Sequence, residues 1–228
     1  LESGQLVGAP LTGHAARIND ILSWTTPFGE TRLATASSDG SIRLWDPDAG
    51  TQVGRSLTGH AGPVRDMCIF TTRHGDAWLA SVGDEGAIRI WDPDAGRQIG
   101  RPLKGPACPM TCVASFSAAN GEPRLVTTGD DYIVRVWDPG NGRQLGRLSS
   151  GEENLCDVVL VGTNREGRTR LVTSGLDRSI RFWDIATGRM TYAMHALDYT
   201  ETIMSLRYGD LAVSLNDGWA LLRLPLGV

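Results

Sequence analysis

The chain has 228 residues, 41% of them hydrophobic, with 22 basic against 26 acidic side chains and a net charge of −4. That is enough chain to bury a core, as one large all-β domain or two small ones. The interspersed charges leave no basic stripe to hold phosphates, so nucleic acid is not an implied partner, and with no apolar run near the roughly 20 residues that span a bilayer, neither is membrane. Cys68, Cys108, Cys112 and Cys156 show no C-x-x-C spacing and fall in or beside apolar strand segments, which reads as buried thiols. Lys104 is the sole lysine, a bias that points to a GC-rich genome and a bacterial, cytoplasmic origin. With Leu1 rather than Met at its start, the chain is expected to be part of a longer polypeptide.

In chain order, residues 2–11, ESGQLVGAPL, match the pattern of DAGTQVGRSL at 48–57 and read as the outermost strand of a repeat whose first three strands are absent. Ile18-Asn19-Asp20-Ile21 begins an inner strand, Leu33-Ala34-Thr35-Ala36 a second and Ile42-Arg43-Leu44-Trp45 a third. The turn Asp46-Pro47-Asp48-Ala49-Gly50 follows. Proline presets φ for a type I turn, an Asp side chain bonds the turn backbone and glycine takes the positive φ, so a tight hairpin is expected. SIRLWDPDAG at 41–50 returns as AIRIWDPDAG at 87–96, IVRVWDPGNG at 133–142 and SIRFWDIATG at 179–188. Trp45, Trp91, Trp137 and Trp183 therefore stand 46 residues apart, a period of stacked or circular β arrays. Each repeat reads as four short strands, nearly all buried between neighbouring sheets.

The inner strand recurs at Val64-Arg65-Asp66-Met67, Met110-Thr111-Cys112-Val113, Leu155-Cys156-Asp157-Val158 and Ile203-Met204-Ser205-Leu206. Leu211-Ala212-Val213-Ser214 with Asn216-Asp217-Gly218 repeats Leu33-Ala34-Thr35-Ala36 with Ser38-Asp39-Gly40, so five repeats are visible. The fifth carries Arg223-Leu224 in place of Trp-Asp. Pairing residues 4–9 with 219–224 would close a ring and remove two open edges. The expected architecture is a propeller of four-stranded antiparallel blades: closing outer strand 1–12, blades at 13–59, 60–105, 106–150 and 151–197, and the inner three strands of a fifth at 198–228. Five repeats fill about 230 residues and seven about 320, so a larger propeller with blades preceding Leu1 stays open.

A Gly-His loop, a Ser or Thr in the second strand, a turn Asp and a terminal Trp-Asp together make the chain resemble the WD-repeat β-propeller family over nearly its whole length. The resemblance implies a hydrogen-bonded chain in each blade from His through Asp and Ser/Thr to the Trp indole. In the first repeat these are His14, Thr35, Asp39 and Trp45; in the second His60, Ser81 and Trp91, with Glu85 where Asp is expected and its turn therefore bonded differently. The third and fourth keep Thr127, Asp131, Trp137 and Thr173, Asp177, Trp183, but Pro106 and the Gly151-Glu152 stretch replace the histidine.

The resemblance also implies a protein or peptide partner on the upper, narrow face of the ring. By position that face comprises Arg17, Asn19 and Ser38; Pro63, Arg65 and Asp84; Pro109, Thr111 and Asp130; Asn154 and Leu176; and Thr202, Met204 and Asn216. Arg43, Arg89, Arg135 and Arg181 form a row whose stems are expected between blades and whose heads are expected on local carboxylates. The acidic pairs Asp84-Glu85, Asp130-Asp131 and Glu152-Glu153 lack the spaced oxygens of a calcium loop. No nucleophile, phosphate-loop, zinc or dinucleotide motif appears, and no cofactor or metal is implied.

The expected function is thus a non-catalytic protein-interaction scaffold, the sensing or scaffolding module of a larger protein, monomeric if the ring closes. The alternative is a five-bladed, lectin-like carbohydrate-binding propeller, which would need equivalent interblade pockets, whereas Trp24, Trp78 and Trp219 do not recur at one repeat position. A central carboxylate enzyme would need Asp20, Asp66 and Asp157 to converge. Cys112 and Ser205 break that set, and the three acids are expected to be structural acceptors.

Overall fold

The computed structural model describes residues 8–118, 120–148, 155–161, 170–175, 178–185, 187–195, 203–205, 211–215 and 218–222. Every helix or strand element among them is a β-strand. No helix among the described residues is long and apolar enough to cross a membrane.

The strands follow the repeat. The first sheet holds β1 (Ile18–Thr25), β2 (Thr31–Ser37), β3 (Ser41–Asp46) and β4 (Thr51–Thr58) in that order, each antiparallel to its neighbour. The second holds β5 (Val64–Thr71), β6 (Ala77–Gly83), β7 (Ala87–Asp92) and β8 (Arg97–Lys104). The third holds β9 (Met110–Ser117), β10 (Pro123–Gly129), β11 (Val134–Asp138) and β12 (Arg143–Leu148). The fourth holds β13 (Leu155–Val161), β14 (Arg170–Gly175), β15 (Ser179–Asp184) and β16 (Arg189–His195). The last has three described strands, β17 (Ile203–Ser205), β18 (Leu211–Leu215) and β19 (Gly218–Leu222).

Local chemistry explains the shared register. The carboxylate after each tryptophan folds the hairpin: Asp46 Oδ1 accepts from the backbone N–H groups of Asp48 and Ala49 at 3.0 and 2.9 Å. Asp92, Asp138 and Asp184 bond Ala95, Gly140 and Thr187 in the same way. Gly50 closes the turn at φ 66°, a left-handed conformation that a side chain disfavours. The register then sets Leu33 opposite Trp45, Leu79 opposite Trp91, Leu125 opposite Trp137 and Leu171 opposite Trp183.

Sheets pack face to face, with β1, β5, β9, β13 and β17 following one another side by side. Between the first two sheets, Ala34, Ile42 and Leu44 meet Val64, Met67, Leu79 and Trp91. The next seam joins Val82, Ile88 and Ile90 to Met110, Val113 and Trp137, and the third joins Val126, Val134 and Val136 to Leu171 and Trp183. Each large apolar side chain withdrawn in this way contributes about 1.5–3 kcal/mol.

Two expectations need correction. Burial of nearly every strand does not extend to the outer strands: β4 and β8 are mostly exposed or half-exposed and bury only Leu57 and Leu103. An outer strand carries its own solvated face, so only the residue that meets the next sheet is withdrawn from water. The first sheet is also unlike the others, because Ile21 is 61% exposed where its counterparts Met67 and Val113 are 5% and 3% exposed. Nothing among the described residues covers the face of β1 that in β5 and β9 meets the preceding sheet. Of the expected pairing of residues 4–9 with 219–224, residues 4–7 and 223–224 lie outside the described residues, and Gly8 and Ala9 form an exposed bend rather than strand.

Candidate functional site

The loop before β1 places His14 over the turn between β2 and β3. His14 Nδ1 lies 2.9 Å from Asp39 Oδ2, and its Nε2 lies 2.7 Å from Thr35 Oγ1. Thr35 Oγ1 also accepts from Trp45 Nε1 at 2.8 Å, so one buried hydroxyl joins imidazole to indole. Asp39 further accepts from Ala15 N–H, Ser41 N–H and Ser41 Oγ at 2.9, 2.9 and 2.6 Å. Burial works against its charge, but the bonds from Ser41, Ala15 and His14 outweigh it and hold the carboxyl well below the usual range.

The second repeat solves the same problem with a longer acid. His60 Nε2 lies 2.7 Å from Ser81 Oγ, which accepts from Trp91 Nε1 at 2.8 Å. Glu85 takes the Ala61 N–H at 2.8 Å and lies 2.9 Å from His60 Nδ1, off the line of a directed hydrogen bond. Its extra methylene lets it bond Arg89 Nε at 2.8 Å as well. Burial opposes charge on Glu85, yet Arg89, Ala61 and His60 together lower its pKa. Burial also pushes His60 down to about 4, so it is neutral at pH 7.

Where the histidine is gone, the acid turns to the arginine row. Trp137 Nε1 still donates to Thr127 Oγ1 at 2.9 Å, and Trp183 Nε1 to Thr173 Oγ1 at 3.0 Å. Asp131 bonds both terminal nitrogens of Arg135, which holds its pKa down. Asp177 lies outside the described residues. Arg89 and Arg135 thus pair with carboxylates, but Arg43 does not: its head donates to Gln52 Oε1 at 2.5 Å. Asp39 is already occupied by Ser41, Ala15 and His14, which leaves the glutamine as Arg43's acceptor. Arg89 makes the matching bond to Gln98 at 2.6 Å. The recurring Gln of TQVG and RQIG was the sequence signal for this link, and Ser41 the signal for the locked turn.

Asp20 and Asp66 lie on neighbouring inner strands and tie sheet to sheet. Asp20 Oδ2 accepts from Met67 N–H at 3.0 Å, and Asp66 Oδ2 from Val113 N–H at 2.7 Å. Asn19 adds a bond to the Val64 carbonyl at 2.7 Å, and Ser115 one to the Ile69 carbonyl at 2.9 Å. The two carboxyls also bond each other. Burial, and for Asp66 the neighbouring charge of Asp20, raises both; Asp66 is pushed up to about 8. One proton shared between them relieves the repulsion. Side chains are not described at Asp157, so convergence of three acids lies outside the described residues. Among the described residues, no group of three or more His, Cys, Asp or Glu is gathered for a metal, and Cys68, Cys108 and Cys112 are thiols rather than disulfides.

The positions expected on the upper face lie at the starts of the inner strands and in the turns before β3, β7 and β11. Ser38, Asp84 and Asp130 donate backbone N–H bonds to the carbonyls of Arg17, Pro63 and Pro109 at 2.8, 3.1 and 3.0 Å. The turn before β3, β7 or β11 is thereby tied to the start of the inner strand of its own sheet. Asn19 Nδ2 bonds Ser38 Oγ at 3.0 Å, and Arg65 clasps Asp84 through Nε and Nη2 at 2.6 and 3.0 Å. That clasp, with the added field of Asp130, raises the Arg65 pKa. Thr111 Oγ1 lies 3.5 Å from Thr128 Oγ1, and Arg17 and Asp130 are exposed. Asn154, Leu176, Thr202 and Asn216 lie outside the described residues, and Met204 lies in β17.

A family model described as WD domain, G-beta repeat, matches the chain at residues 4–46, 51–92 and 97–138. No curated protein matches it.

Proposed function

The chain belongs to the WD40 family, and from that premise we propose that it is a non-catalytic scaffold that binds a protein or peptide through the face where β1, β5 and β9 begin. WD40 domains typically mediate protein–protein interaction. The observation that carries the reading is the bidentate Arg65–Asp84 pair, half-exposed and held in place by the Pro63 carbonyl beneath Asp84. With Asn19–Ser38 on one side and exposed Asp130 on the other, it presents fixed donors and acceptors of both signs. Such a mixed, ordered surface suits a protein partner, because little side-chain freedom remains to be lost on binding. The module serves as the sensing or scaffolding part of a larger bacterial, cytoplasmic protein.

The uncovered Ile18 and Ile21 of β1 further support a closed ring, with the sheet of β17–β19 on that face and residues 4–9 as its outer strand. With the ring closed in this way, no open sheet edge is left to recruit a second copy, and we infer that the chain is a monomer.

Alanine substitution at Arg17, Arg65 and Asp130 together tests the function. Affinity for an identified partner, measured by calorimetry, should fall at least about tenfold, a change of roughly 1.4 kcal/mol. Unchanged affinity with an unchanged melting curve overturns the proposal.

A further inference from the structure

A cleft of about 630 Å³ opens between the second and third sheets, on the outer rim and away from the upper face. One wall is β8 from Ile99 to Lys104; the other is the hairpin that carries Asn141 and leads to Gln144. Trp78 lines it, and a volume of this size falls in the ordinary range for small-ligand sites.

Trp78 is a departure from the repeat. It precedes Leu79 where Arg32 precedes Leu33, Arg124 precedes Leu125 and Arg170 precedes Leu171. In the first and third sheets that arginine faces the hairpin acid, Arg32 Nη1 at 3.3 Å from Asp46 and Arg124 Nη1 at 3.8 Å from Asp138. In the second sheet the guanidinium is replaced by an indole, set edge-on to Phe70 with ring centroids 6.2 Å apart. Asp92 is left with Arg97, 4.0 Å away and mostly exposed. Lys104, the chain's one lysine, likewise stands where β4 has Thr58, each being the last residue of its strand.

The lining is chemically one-sided. It includes Arg101 and Lys104 but no carboxylate. Among the described residues, neither cation makes an ion pair or side-chain hydrogen bond, and nothing accepts from Trp78 Nε1, whereas the indoles of Trp45, Trp91, Trp137 and Trp183 all bond a hydroxyl. An apolar ring face, an unused N–H and two unpaired cations describe a receptor for a ring that bears negative charge.

We propose that this cleft is a single binding site for a carboxylated sugar unit, a hexuronate. The C–H face of the sugar stacks on Trp78, its carboxylate lies between Arg101 and Lys104, and its hydroxyls reach Trp78 Nε1 and the Gln144 carbonyl oxygen. The site belongs to one seam only, because Trp78 and Lys104 are where the second repeat differs from its neighbours, whereas Arg101 recurs as Arg55 and Arg147 without an indole beside it at the matching position. It is independent of the upper face.

The test titrates the full chain with glucuronate and, in parallel, with glucose and benzoate, and follows the indole N–H resonances by NMR. The Trp78 resonance is assigned by its loss in Trp78→Arg, which installs the residue that the other repeats carry and gives Asp92 a partner. Glucuronate should shift that resonance and bind at least about tenfold more tightly than glucose or benzoate. Trp78→Arg should weaken binding about tenfold or more, and Lys104→Thr roughly threefold, with melting temperatures held. Absence of glucuronate binding, equal binding of glucose, tighter binding of benzoate, or unchanged affinity in a folded Trp78→Arg chain each overturns the proposal.

Discussion

Thr35 and Thr127 occupy the same place in their sheets and differ in how many buried groups depend on them. Thr35 Oγ1 serves both His14 Nε2 and Trp45 Nε1, whereas Thr127 Oγ1 serves Trp137 Nε1, with Pro106 in place of the histidine. A buried donor or acceptor without a partner costs about 1–3 kcal/mol. Thr35→Val should therefore destabilise by about 2–3 kcal/mol and Thr127→Val by about 1 kcal/mol, read from urea unfolding midpoints. The Asp20–Asp66 pair makes a second residue-scale prediction. Burial and Asp20 raise Asp66 to about 8, above the roughly 3.9 of an unfolded aspartate, so the folded state holds the extra proton between those values. That contribution to stability is full below about pH 4 and is lost as pH rises through about 8. His60 acts oppositely, since burial lowers it to about 4 and its effect is confined below roughly pH 6.5. Between pH 6.5 and 8.5 the unfolding midpoint should fall in the natural chain and stay flatter in Asp66→Asn, which keeps a neutral acceptor for Val113 N–H.

The blade faces make the prediction at the scale of the element. Val64, Met67, Met110 and Val113 are all withdrawn from water by the preceding sheet, and Ile18 and Ile21 repeat their pattern with nothing described over them. If the sheet of β17–β19 closes the ring, Ile21→Lys buries an unpaired ammonium in a packed seam. The expected loss is then about 2–3 kcal/mol in urea unfolding, whereas a change within about 0.5 kcal/mol marks a surface position and contradicts closure. Strand order and hairpins were legible in the sequence, because each rests on a short-range device: Trp-Asp-Pro, a glycine at φ 66°, and a 46-residue period. The acceptor of Arg43 was not. A local carboxylate was expected, but Asp39, which stands where Glu85 and Asp131 meet their arginines, is taken by Ser41, Ala15 and His14, and Gln52 becomes available only through the β3–β4 pairing. The bond of Asp20 to Met67 was equally hidden, since it joins residues 47 positions apart across a seam.

At the scale of the molecule, the sheets follow one another in series, the first four each braced by a buried indole and the first three tied together by acids that reach across the seams. The resemblance to the WD-repeat family implied the upper face, and the structure adds the bonds that hold Arg65, Asp84 and Asn19 in place. The Trp78 cleft stayed hidden because its meaning depends on comparing a residue with the arginines it replaces. The central claim is that the upper face, not the hairpin end, meets the partner. Hydrogen exchange of the full chain with and without a bound protein partner tests it most directly. The account predicts protection at residues 15–19, 38–41, 63–65, 84–86, 109–111 and 130–132, with the hairpins at 46–50, 92–96 and 138–142 unchanged. Protection at the hairpins with the upper loops unchanged would contradict it.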